Sequence, residues 1–196
     1  MGGFGVIDLD KLYSHKNAFG FFAEHLVYPE KLTYHPNSLA ASFSPEDPAY
    51  AMVHTYWENM QKYSLDELQE LYVHTFDFHK NATLYMTYFK FEDAKERGQM
   101  LAKLTVMYEM FGLNMPDSEL SDYLPLICEF LYAAEWIGDP RAKDSFNILM
   151  AVLEDGTYHL LKGLEEINSP YYPLVKGFRE TIKASLLKEV ANHEHD

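Results

Sequence analysis

The chain has 196 residues, 47% hydrophobic and 15% aromatic, with a formal net charge of −14. Such a length and hydrophobic content suit one globular domain and exclude an extended disordered chain. The negative field makes nucleic acid and anionic membrane surfaces poor partners and favours a basic peptide or protein surface.

The first segment, Asp8 to Val27, reads as one helix, because Leu12, Phe19, Phe22 and Leu26 recur at helical spacing. It is not an export signal: Asp8, Asp10 and Lys11 interrupt it, and Val6 stands where a myristoylation signal needs Ser or Thr. No apolar run is long enough for a membrane span, so a cytoplasmic protein is expected. The single cysteine, Cys128, excludes an intramolecular disulfide, fits a reducing compartment and reads as a small buried filler.

"YPEKLTYHPNSLAASFSPEDP" is a proline-broken connection. Ser44 with Asp47 forms a capping-box pattern with Pro45 at the first helical position, predicting a helix from Pro45 to Tyr63. Ser64 and Glu67 repeat the pattern before Leu65, Leu68, Leu71, Tyr72 and Phe76, an apolar face. "DFHKNATLYMTYFKFED" favours strand by composition, but no partner strand exists elsewhere, so short helix and turn are expected. "AKERGQMLAKLTVMYEMFG" is an amphipathic helix with Met100, Leu104, Met107 and Phe111 on one stripe and Gly112 as its stop. Beyond the next helix, Asp139-Pro140 opens one that ends near Asp155-Gly156, another runs Thr157 to Ile167, and Ser169-Pro170 starts the last, towards Lys188. A polar tail closes the chain. The fold class is therefore all-α, one domain with a bundle of roughly seven to nine helices.

No enzyme signature is present: the Gly-rich start lacks a Gly-Lys-Ser/Thr ending, and the His-Glu-x-x-His, Glu-x-x-His and Gly-x-Ser-x-Gly patterns are missing. Neither a catalytic residue nor a bound cofactor is expected. No metal site is expected either, since His74 and His79, five apart on a helix, should diverge, and the group His193, Glu194 and His195 sits in the tail.

"ELSDYLPLICEFLYAAEWIGDP" is apolar on almost every side yet carries acids. Read as a helix from Asp122, it places Leu124, Ile127, Cys128 and Leu131 on one face and Pro125, Glu129, Tyr132 and Trp136 on another. A buried Glu129 needs a partner. Either Arg97, a lysine or water supplies it, or Tyr132 and Trp136 wall a groove with acids at its rim that takes an apolar, cationic peptide. Met100, Met107 and Met110 read as core or as an adaptable surface.

From about Leu68 to Leu131 the chain closely resembles the nitrate reductase molybdenum-cofactor assembly chaperones, the NarJ-type or delta-subunit branch of the TorD-like redox-enzyme chaperones. The resemblance rests on Thr75-Phe76-Asp77-Phe78, Leu84-Tyr85 with Thr87-Tyr88, Arg97-Gly98, Glu119-Leu120, Asp122-Tyr123-Leu124-Pro125 and Glu129-Phe130-Leu131, in that order. It implies a TorD-like helical fold without catalysis. It also implies a partner, the precursor of the catalytic (alpha) subunit of a respiratory nitrate reductase, held through its basic amphipathic N-terminal segment until molybdenum and iron–sulfur cofactors are inserted. The implied peptide-binding loop is Glu119, Asp122, Tyr123 and Pro125. Ser121 departs from the proline common in this branch, while Tyr123 agrees with it. Phe76, Phe78, Tyr85 and Tyr88 divide between core and groove. Asp77 is an internal cap or a cation acceptor, and Arg97 pairs with Glu129 or Asp122. Alternatives are a maturation chaperone for another molybdenum oxidoreductase, a direct carrier of the molybdenum cofactor, or a subunit retained in the final complex. An acidic chain without a phosphate loop argues against the carrier, because that cofactor is anionic.

Overall fold

The computed structural model describes residues 5–116 and 118–187. Among these the chain forms nine α-helices and one 3-10 turn: α1 (Leu9–Ser14), α2 (Lys16–His25), α3 (Pro36–Ser42), α4 (Tyr50–Met60), α5 (Leu65–Phe76), the 3-10 turn (Lys80–Ala82), α6 (Ala94–Met110), α7 (Leu124–Ala133), α8 (Ala142–Glu166) and α9 (Tyr172–Ala184). Extended pairing among the described residues is limited to two isolated antiparallel bridges, Ile7 with Leu186 and Tyr85 with Tyr123. No helix described is long and apolar enough to cross a membrane. The polar tail lies outside the described residues.

Local chemistry accounts for several helix starts. Ser64 accepts from the Glu67 amide while the Glu67 carboxylate accepts from the Ser64 amide, a complete capping box. Asp8 caps α1 and Asp93 caps α6 through their side chains. Gly112, just beyond α6, takes φ +86°, a left-handed turn that glycine adopts without a Cβ clash.

The structure departs from the sequence expectation at four joints. The expected helix from Asp8 to Val27 is two, because His15 leaves helical geometry (φ −92°, ψ 12°), closing α1 and opening α2. The connection before Ser44 contains α3, which has proline in its first turn. The helix expected from Pro45 begins only at Tyr50: the Ser44 amide donates to the Asp47 carboxylate in a turn while the Ser44 hydroxyl is taken by Glu46, so the expected capping box is only half made, and Pro48 lacks the N–H that would extend the helix through it. Finally, Gly156 does not end a helix. It lies inside α8, where an added Cβ would fall 2.6 Å from the Met86 backbone. Gly163, two turns on and on the same face, would meet the Asn81 carbonyl oxygen at 2.1 Å. Both glycines serve close approach of the 81–86 backbone to α8.

α2 is the hub of the bundle, packing along α7 and also against α1, α3 and α9, while α4 and α8 close around α9. Phe19 and Phe22 from α2 meet Phe178 of α9, and Phe130 of α7 meets Tyr108 and Phe146. Cys128 is fully buried, and burial pushes its thiol above the usual range, as befits packing material. Met107 is buried, and Met100 and Met110 pack partly buried against the core.

Candidate functional site: a tyrosine-lined pocket at the end of α2

The loop leading into α7 is fastened from below. Asp122 is fully buried, and one carboxylate oxygen accepts from the Thr87 amide at 3.0 Å, from the Thr87 hydroxyl and from Arg97 Nη2 at 3.3 Å. The Met86 amide donates to the Asp122 carbonyl at 2.9 Å, and the Leu124 amide to the Leu84 carbonyl at 2.8 Å. Ser121 Oγ donates to the Leu101 carbonyl, and Tyr108 OH to the Ser121 carbonyl, both at 2.7 Å. Asp122 therefore lies beneath the surface, holding the loop to segment 84–88 and α6, rather than at a groove rim. Of the two partners expected for Arg97, the structure selects Asp122.

That anchorage presents Tyr123. Its hydroxyl lies 3.2 Å from Tyr72 OH, and its ring lies against Tyr85, centroids 5.4 Å apart. Tyr85 OH donates to Glu119 Oε1 at 3.0 Å. Burial, then the bond to Glu119 and its charge, push the Tyr85 hydroxyl up to about 12. Burial likewise raises Tyr72 and Tyr123. All three hydroxyls stay neutral at ordinary pH and serve as hydrogen-bonding groups.

Tyr123 also lines a pocket of about 400 Å3 together with Glu24, Tyr28, Glu30, Tyr34 and Tyr171. His25, at the end of α2, is also among its lining residues. The tyrosines continue behind it: Tyr28 on Tyr72, Tyr72 on Tyr171, Tyr171 on Tyr56, and Tyr56 bonded to Tyr34. A second hollow, about 410 Å3, adjoins α2 and includes Gly20, Ser38 and Tyr132. Exposed Glu24 borders both hollows, with Tyr123 on one side and Tyr132 on the other. Gly20 lies under the Tyr132 ring, where a Cβ would fall 2.9 Å from Cδ2, so glycine lets that ring settle on α2. Aromatic walls flanked by carboxylates can hold a cation by ring faces and charge together.

The expected site residues divide sharply. Glu119, Tyr123 and Tyr85 cluster, half-buried, beside the pocket. Glu129 and Tyr132 are exposed on α7, three residues apart, and form its narrow solvent stripe with Ala133. Glu129 was expected inside; in the open it needs no internal partner. Trp136 was expected as a groove wall. It lies beyond the end of α7, fully buried between the edge of Tyr13 (5.3 Å) and Phe146 (4.8 Å). Pro125 is buried in the first turn of α7. Phe76 is half-buried against Tyr72 and Tyr171, whereas Asp77 closes α5 in the open and Phe78 is 73% exposed. Tyr88 is exposed, its ring edge-on to Phe89.

His74 and His79 also depart from expectation. α5 ends at Phe76, the chain turns, and the two rings meet with centroids 5.0 Å apart. Among the described residues no group of three or more His, Cys, Asp or Glu side chains is placed to hold a metal.

Sequence reasoning missed Glu24, His25, Tyr28, Glu30, Tyr34 and Tyr171. The signal was "EHLVYPEKLTY", a proline-broken segment with aromatics and acids interleaved, here the rim of the pocket.

Comparison with known proteins gives a consistent family. A family model described as nitrate reductase delta subunit matches residues 44–175. The chain is 45% identical over 80 residues to a protein of Bacillus subtilis (strain 168) named a probable nitrate reductase molybdenum cofactor assembly chaperone NarJ; the match covers 41% of this chain and 44% of that protein. It is 26% identical over 177 residues, 87% of this chain and 72% of the relative, to a probable nitrate reductase molybdenum cofactor assembly chaperone NarW of Escherichia coli (strain K12). A nitrate reductase-like protein NarX of Mycobacterium tuberculosis (strain ATCC 25618 / H37Rv) is 30% identical over 82 residues, 42% of this chain and 13% of that protein.

Proposed function

The chain belongs to the nitrate reductase delta-subunit family, and from that premise we propose that it is a maturation chaperone, not an enzyme. It binds the immature catalytic subunit of a nitrate reductase through that subunit's basic amphipathic N-terminal segment, in the cytoplasm, and holds it competent for molybdenum-cofactor and iron–sulfur insertion. The observation that carries this reading is the tyrosine-lined pocket between α2, its following loop and Tyr123, with Glu24 and Glu30 among its lining residues. Half-exposed aromatic walls supply apolar contact, the carboxylates supply charge, and the chain's net charge of −14 steers a cationic segment towards it. Tyr132 and Glu129, on the other side of Glu24, extend the surface along α7.

Isothermal titration of the chain with the N-terminal peptide of the nitrate reductase catalytic subunit from the same host tests the reading. Binding should weaken with added salt, as expected of partly exposed charges. Glu24→Lys should lower affinity about tenfold, equivalent to about 1.4 kcal/mol, with the thermal midpoint little changed because Glu24 is exposed. Absence of binding heat, together with failure of the chain to retain the full precursor subunit, would overturn it.

A further inference from the structure

We infer that the outer face of α6 is a two-fold interface between copies of this chain, formed by antiparallel pairing of α6 with its own mate about Val106. The inference is independent of the docking reading, and the groove beside this face shares no residue with the pocket at the end of α2.

α6 buries Leu104, Met107 and Tyr108 against the core. A surface helix keeps the opposite side polar, and the first half of α6 does so, with Lys95, Glu96 and Gln99 exposed. The second half does not. Ala102 is exposed, Val106 is 61% exposed, and Met110 is half-buried on the same side. Together with Ile148 of α8, itself 40% exposed, they line a groove of about 430 Å3 between the two helices. A contiguous apolar patch of this kind, with charges beside it, marks an interaction surface.

The charges decide the occupant. Lys103 stands three residues before Val106 and Glu109 three residues after it, on opposite flanks of one exposed face. Among the described residues neither has an ion-pair partner within the chain. Two copies of α6 laid antiparallel about a two-fold axis through Val106 set each residue against the one equally far on the other side. Lys103 then faces the second copy's Glu109, and this pair forms twice. Ala102 faces the second copy's Met110, a small side chain against a long one, and Val106 faces itself. A two-fold interface requires a patch that carries its own complement, and this one does. An acidic partner would meet Glu109 and a basic one Lys103, whereas a second copy satisfies both in one register. α6 has 17 residues and is about 25 Å long. A pair of such helices lies at the small end of specific interfaces, so the dimer is weak and reversible. Repulsion between two chains of net charge −14 opposes it and is screened beyond about 8 Å at physiological salt.

Sedimentation equilibrium of the full chain at physiological salt, from about 5 to about 500 µM, tests the inference across the range expected of a small interface. The average mass should climb with concentration towards twice that of the chain. Val106→Asp, at a position open to solvent, should weaken association about tenfold or more, with circular dichroism reporting that the fold is retained. Lys103→Glu and Glu109→Lys should each weaken it, because like charges then meet at both ends of the helix pair. A chain carrying both changes should regain the association of the unaltered protein, a recovery that loss of fold could not produce. A chain that stays monomeric throughout overturns the inference. So does association that persists in Val106→Asp, or a double charge swap no better than the single ones. If the unaltered chain is monomeric and Val106→Asp instead loses retention of the precursor subunit, the face belongs to that subunit and the inference falls.

Discussion

Replacing Asp122 by alanine should loosen the whole loop before α7, and the structure sets the magnitude. Asp122 and Thr87 are both fully buried, so alanine strands the Thr87 amide and hydroxyl, which reach no water. Each stranded buried donor costs about 1–3 kcal/mol. Arg97 keeps 27% side-chain exposure and can turn to solvent, so its own loss adds little. Against this, the variant no longer buries a carboxylate whose second oxygen, Oδ1, is itself unpartnered. The net expectation is a loss of about 3 kcal/mol, towards the low end for breaking a buried ion pair. In urea, with a slope of about 2 kcal/mol per molar, the midpoint by far-ultraviolet circular dichroism should fall by roughly 1.5 M. Arg97→Met should cost less, and the double variant should cost less than the sum of the two. A loss below about 1 kcal/mol for Asp122→Ala, or strict additivity of the pair, would refute the view that this carboxylate anchors the loop.

The glycines give a paired test: Gly163→Ala should destabilise by about 1–3 kcal/mol through its clash with Asn81, whereas Gly98→Ala, exposed in α6 with open space around it, should stabilise by about 0.5–1 kcal/mol; thermal melts read both. His25 should make the fold acid-sensitive. Burial lowers its pKa from 6.5 to about 3, so the unfolded chain binds the extra proton first. The contribution is fully present above pH 6.5 and is lost as pH falls towards about 3, at up to about 1.4 kcal/mol per pH unit; His25→Phe should flatten that part of a stability-against-pH curve. Sealed between Tyr13 and Phe146, Trp136 should emit at short wavelength and resist iodide quenching in a Trp57→Phe background, and its emission should not respond to peptide. A red-shifted, readily quenched signal would show that the side chain is open to solvent.

What was legible in the sequence was local. The Ser64–Glu67 box and the run from Ala94 to Met110 are short-range patterns whose physics is complete within a few residues, and both stand in the structure. The all-helical class follows from many such runs together. Gly156 misled because a glycine in a helical pattern has two meanings, an ending or a close approach, and only the path of residues 81–86 across α8 distinguishes them. Trp136 misled because helical phase was carried past Ala133, where the chain leaves the helix. Glu129 misled because an apolar surround in sequence is not an apolar surround in space: α7 keeps one narrow open stripe, and Glu129 is on it. The pocket itself was hidden, since its walls come from the α2 end, the loop to Tyr34, Tyr123 and Tyr171, and no spacing rule joins those positions.

The stretch that carries the family likeness thus performs two physical tasks that sequence alone merges. Asp122, Thr87, Arg97 and Ser121 spend their hydrogen bonds on one another and on backbone. Tyr85, Glu119 and Tyr123 use that frame to hold neutral hydroxyls and a carboxylate at a half-open surface. The second set depends on the first, because Tyr123 is the residue directly after the buried anchor and its bridge to Tyr85 is the same contact that ties the loop down. Loss of peptide affinity on altering Asp122 therefore carries no information about contact with the peptide unless stability is measured beside it. Glu24, exposed and on a different helix, is free of that dependence. It is the position at which the charge of the pocket can be varied while the frame stays put.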